Sequence, residues 1–120
     1  MTIRRMKTYT GGQGYVYQYY FVGDRPAPAK RTQEAAREYI FDVTSDRKIT
    51  FAVSVFLPAK AVETWAARHR RPLTDAEQYG AVKMRLFQAF DEVEDLMSHG
   101  RQLWVDSEIL EKALTTLGVD

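Results

Sequence analysis

Hydrophobic and polar positions alternate along much of the first half of the chain and recur at helical spacing through most of the second. Alternation sends successive side chains to opposite faces of a strand, whereas a three-to-four spacing gathers them on one side of a helix. Tyr15 to Val22 holds four tyrosines, two valines and a phenylalanine, all suited to a pleated surface. One face of this strand carries Tyr15, Tyr17, Tyr19 and Phe21, and the other carries Val16, Gln18, Tyr20 and Val22. The run Gly23-Asp24-Arg25-Pro26-Ala27-Pro28 is expected to stop it. From Tyr39 a second strand points Tyr39, Phe41 and Val43 one way and Glu38 and Asp42 the other. Thr44 to Arg47 makes a polar turn, and Lys48 to Phe56 returns with Ile49, Phe51, Val53 and Val55 on one side. Together these segments predict a three-stranded antiparallel meander. A further short strand over Ile3 to Thr8 is compatible with the pattern. The lead-in 1–13 otherwise reads as basic and flexible, because it runs into Gly11-Gly12-Gln13-Gly14. Residues 29–37 fit either a short helix or the approach to a strand.

After Leu57-Pro58 the period changes. Proline suits a first helical turn, and Val62, Trp65, Ala66 and His69 recur at helical spacing, which predicts a helix over 59–69. Thr74-Asp75-Ala76-Glu77 is a capping box. Behind it a long helix is predicted over 75–98, with Tyr79, Val82, Leu86, Phe90, Val93 and Met97 as its apolar stripe. Its last turns carry Asp91, Glu92, Glu94 and Asp95, where the helix dipole favours cations, so the pattern asks for a neighbouring positive charge. Arg101 to Val105 suits a short strand. Asp106 or Ser107 caps a final helix that Gly118 closes. The expected fold is α+β in two layers, an antiparallel β-meander followed by helices in the order β-β-β-α-α-β-α, in one domain spanning 1–120.

Composition narrows the chemistry more than the fold. The chain has 120 residues, 17 basic and 16 acidic side chains, and no cysteine. Disulfides, thiolate catalysis, zinc-thiolate sites and iron–sulfur ligation are therefore excluded. The net charge of +1 conceals an asymmetry. Residues 1–60 carry ten basic and five acidic side chains, and residues 61–120 carry seven and eleven. Two such halves would attract each other, or present opposite charges to partners. No apolar run approaches the roughly 20 residues that cross a bilayer. Met1 to Lys7 lacks the apolar stretch of a signal peptide. The expectation is a soluble, cytoplasmic protein without a membrane partner.

Few residues announce a reaction. The two histidines, His69 and His99, stand thirty residues apart with no ligand motif, so no metal and no cofactor is expected. Neither a Gly-x-Ser-x-Gly elbow nor a phosphate-binding loop is present, and Gly11 to Gly14 precedes a strand rather than a helix. Glu38 and Asp42 share a strand face and read as solvated carboxylates. No catalytic residue is assigned, and the balance leans away from an enzyme. The leading expectation is a small protein-interaction or self-associating domain, with a protein partner or homodimer held through Tyr15, Tyr17, Tyr19, Tyr20, Trp65 and Trp104. The alternative is nucleic-acid binding on a tyrosine-bearing sheet, with phosphate contacts from Arg25, Lys30, Arg31, Arg68, Arg70 and Arg71. A second alternative is an enzyme or ligand-binding domain, whose mark would be a pocket near His69 or His99.

Overall fold

The structure, a computed structural model, describes residues 5–12, 14–27 and 34–120. It is an α+β two-layer fold whose antiparallel meander is followed by helices. The sheet has five strands in sequence order: β1 (Lys7–Thr10), β2 (Val16–Pro26), β3 (Ala36–Thr44), β4 (Phe51–Pro58) and β5 (Gln102–Trp104). The first four pair antiparallel, and β5 joins the edge of β4 in parallel. Between β4 and β5 lie α1 (Ala59–His69), α2 (Asp75–Glu92) and α3 (Leu96–His99), with α4 (Ser107–Thr116) last. A parallel neighbour needs a long crossover, which the three helices supply.

Tyr17, Tyr19, Phe41, Val53, Val55 and Leu103 face the helices and are buried there. Against them pack Trp65 of α1, Leu86 and Phe90 of α2, and Leu110 and Leu114 of α4. Phe90 lies flat on Tyr17, with ring centroids 4.4 Å apart. The opposite face of the sheet carries Gln18, Glu38, Ile40, Ser54 and Trp104, and among the described residues it has no helix of its own.

Several expectations need correction. The lead-in contributes a strand at Lys7–Thr10, which pairs with β2, whereas residues 3 and 4 of the expected strand lie outside the described residues. The Gly23–Pro26 run does not end β2, because a bulge between Phe21 and Gly23 carries the strand on to Pro26. Gly23 has φ 157°, a conformation that side chains resist. In the ambiguous 29–37 segment, residues 29–33 lie outside the description and β3 begins at Ala36. The helix expected over 75–98 breaks into α2 and α3. Val93 is extended, and the Asp95 carboxylate caps α3 by accepting from the Ser98 N–H. Asp91, expected to meet a cation, instead accepts from the Tyr9 hydroxyl at 2.9 Å and the Gly12 N–H at 2.8 Å. Each ion pair between described residues joins two residues of the same half, so among the described residues the two halves are not joined by ion pairs.

The capping box forms as expected, and Arg71 extends it. Its guanidinium donates to both Glu77 oxygens at 3.0 and 2.9 Å, while Glu77 Oε1 also accepts from the Thr74 N–H. These bonds, Arg71 first, hold the Glu77 carboxyl down at about 2 against an ordinary 4.5. A depressed carboxylate adds stability above its unfolded value and loses it as pH falls through the folded one. Replacing Glu77→Gln should therefore cost stability at neutral pH. The difference from the natural chain, read as urea midpoints, should shrink steadily as pH falls from 4.5 towards 2.

Candidate functional site

The β2 bulge decides which residues share the open face. Strict alternation from Phe21 would turn Arg25 towards the helices. The extra residue reverses the alternation, so Arg25 pairs directly with Glu38 on the opposite side. Its Nε donates to Glu38 Oε1 at 2.9 Å. On β4, Ser54 donates its hydroxyl to Glu38 Oε2 at 2.6 Å. Glu38 was expected to be solvated, yet it is 1% exposed, whereas Arg25 is largely open. Desolvating a carboxylate is tolerated only when charge and hydrogen bonds answer it, and both are present.

The α3–β5 junction brings the second set of groups. A Cβ on Gly100 would collide with the Leu96 side chain, so glycine there lets the chain turn tightly from α3 into β5. The turn sets His99 and Arg101 beside the end of β4. The Ser54 N–H donates to the Arg101 carbonyl at 2.8 Å, and Arg101 Nε donates to the Ala52 carbonyl at 3.0 Å. The result is an open cleft of about 620 Å³, lined by Arg25, Glu38, Ile40, Ala52, Ser54, Ser98, His99, Arg101 and Gln102.

What matters chemically is which donors are already used. Towards the described residues Arg25 and Arg101 each use only Nε, so the Nη atoms of both guanidiniums have no partner among them. The side chains of Ser98, His99 and Gln102 likewise carry no hydrogen bond to a described residue. Glu38, by contrast, is engaged through both oxygens. Among the described residues the cleft therefore offers mostly donors, with two guanidiniums against one carboxylate, an arrangement that suits a ligand rich in acceptor oxygens. Among the described residues the hydroxyl-to-base hydrogen bond of the cleft runs from Ser54 to Glu38, a carboxylate whose other oxygen is held by Arg25, and His99 takes no part in it. No group of three histidine, aspartate or glutamate side chains among the described residues could hold a metal ion.

The other singled-out residues are scattered. Tyr17, Tyr19 and Trp65 are core residues, since the helices pack on that face of the sheet, and their rings are not available for a partner or a base to stack on. Tyr15 and Trp104 are exposed and Tyr20 is half-buried. Trp104 stacks on Phe56 at 4.7 Å. His69 lies away from the cleft, between α1 and α4. It rests 4.2 Å from the Trp65 ring, and its Nε2 is 2.9 Å from Glu111 Oε1. Arg68 also reaches Glu111, Arg71 reaches Glu77, and Arg70 ends α1 in a left-handed conformation with φ 60°. Lys30 and Arg31 lie outside the described residues. Of the basic residues proposed for anion contacts, Arg25 alone lines the open-face cleft among those described.

Arg101, Glu38 and Ser54 were not picked from the sequence as site residues. A carboxylate and a hydroxyl on two adjacent apolar strands were the available signal, and each looked like an ordinary outward position. No helix among the described residues is long and apolar enough to cross a membrane. The chain matches no protein-family model, no curated protein and no solved structure.

Proposed function

We propose that this domain binds a small molecule bearing a carboxylate or phosphate group in the open-face cleft. The carrying observation is that Arg25 and Arg101 line one concavity with Nη donors that no described residue uses. A guanidinium held through Nε keeps a donor edge that matches an oxyanion. Glu38 then acts as a positioning residue, because it anchors Arg25 without itself offering a free oxygen at the base of the site. Ser98, His99 and Gln102 add further donors for the rest of the ligand. The cleft volume lies within the roughly 300–1,000 Å³ typical of small-molecule sites.

The test is a titration with acetate, succinate and a phosphate monoester, followed through backbone amide shifts. Saturable shifts should concentrate at Ala52 to Ser54 and Ser98 to Gln102, with the helical layer around His69 unmoved. Shifts confined to the Arg68–Arg71 region, or none that saturate with any of the three, would refute the assignment.

A further inference from the structure

A second surface is separate from this cleft and has a different character. Of the large apolar side chains that the fold leaves exposed, Tyr15, Ile49 and Met97 border one small pocket of about 150 Å³. They are 51%, 56% and 44% exposed. They come from three places in the chain: the start of β2, the β3–β4 turn and α3. Exposed apolar side chains scattered singly are ordinary, but three around one concavity mark a docking surface. Cavities of this order accept a group the size of benzene.

Asp46, Glu94 and Asp95 rim the same pocket, and among the described residues no basic side chain lines it. Asp46 is held by the N–H groups of Ile49 and Lys48, which keeps its carboxyl below the usual range, and Asp95 caps α3. Glu94 is exposed and has no partner among the described residues. Three carboxylates, Asp46 from the first half of the chain and Glu94 and Asp95 from the second, therefore stand beside an apolar seat.

We propose that this pocket docks a basic segment of a partner protein. One apolar side chain of the segment would sit among Tyr15, Ile49 and Met97, and its neighbouring lysines or arginines would meet the three carboxylates. Charge decides between this occupant and a second copy of the chain. A two-fold association brings the same patch against itself, so Asp46, Glu94 and Asp95 would face their own equivalents. A basic partner gains from the charges that a second copy must oppose.

The probe is a labelled peptide with one phenylalanine between two pairs of lysines, read by fluorescence anisotropy. Saturable binding that weakens with salt is expected, with no binding of the same peptide carrying glutamates for lysines. Ile49→Ser should weaken binding roughly tenfold or more, because a hydroxymethyl group no longer covers the phenylalanine ring with apolar surface. Glu94→Lys should weaken it by roughly fivefold. Both side chains are exposed and make no hydrogen bond or ion pair with a described residue, so both variants keep the fold. Arg101→Gln, in the cleft, should leave peptide affinity unchanged. Equal binding of the basic and acidic peptides, or binding of neither, would overturn the proposal. So would a solution mass of twice 13.8 kDa that Ile49→Ser returns to the monomer, because the patch would then belong to a second copy.

Discussion

Phe90→Ala is expected to destabilise the domain by about 3–5 kcal/mol, the range for emptying a buried aromatic site. Phe90 is fully buried on α2 and is the centre of an aromatic group. Its ring stacks on Tyr17 at 4.4 Å and stands 5.6 Å from Tyr9 and 6.1 Å from Tyr19. The substitution removes the apolar area, leaves a cavity and breaks ring pairs worth about 0.5–1.5 kcal/mol each beyond their area. Since a domain of this kind is stable by only about 5–15 kcal/mol, a large part of the total is at stake. The midpoint of thermal unfolding should fall by roughly 10–20 °C. Tyr15→Ala, two positions from Tyr17, should move stability by no more than about 0.5 kcal/mol, because Tyr15 is half-exposed. Urea unfolding of the two variants side by side checks the contrast. Similar costs for both would contradict the assignment of the tyrosine face to the helices, and with it the assignment of the opposite face to a ligand.

The period of the apolar residues carried most of the architecture. The alternation at Tyr39–Val43 and the capping box at Thr74–Glu77 are local patterns, and local patterns survive into the folded chain. The break of the long helix did not show, because Met97 continued a helical stripe, yet Asp95 finds a better use as a cap than as a helical residue. The partnership of β5 with β4 did not show either. Strand order depends on how three intervening helices pack, and no residue in Gln102–Trp104 encodes its neighbour.

The site was less accessible for a sharper reason. Arg25 reaches the open face because of one extra residue in β2, and a bulge after Phe21 looks the same in sequence as the end of a strand. Glu38 and Ser54 lie sixteen residues apart, and only the β3–β4 register brings them within a hydrogen bond. His99 was visible as a candidate but not its neighbours. The tyrosines of β2 were visible as a ladder, but alternation alone does not say which side the helices cover.

The second large effect is on binding. Each arginine is expected to make charge-assisted hydrogen bonds to the ligand, worth about 1.5–3 kcal/mol. Arg101→Gln and Arg25→Gln should each weaken an oxyanion ligand by about ten- to a hundredfold. Arg101→Gln is the cleaner of the two. The Arg101 side chain bonds within the described protein only to the Ala52 carbonyl, so its removal leaves Glu38 and Ser54 in place. Arg25→Gln removes a charge from beside a buried carboxylate, and its fold must be checked by unfolding at the same time. The deciding measurement is calorimetric titration of the natural chain and of Arg101→Gln with a phosphate monoester at two salt concentrations. A cleft that recognises an anion predicts saturable binding by the natural chain, weaker at the higher salt and at least about tenfold weaker in Arg101→Gln. Equal affinity in the two proteins, or no binding to the natural chain at the lower salt, would contradict it.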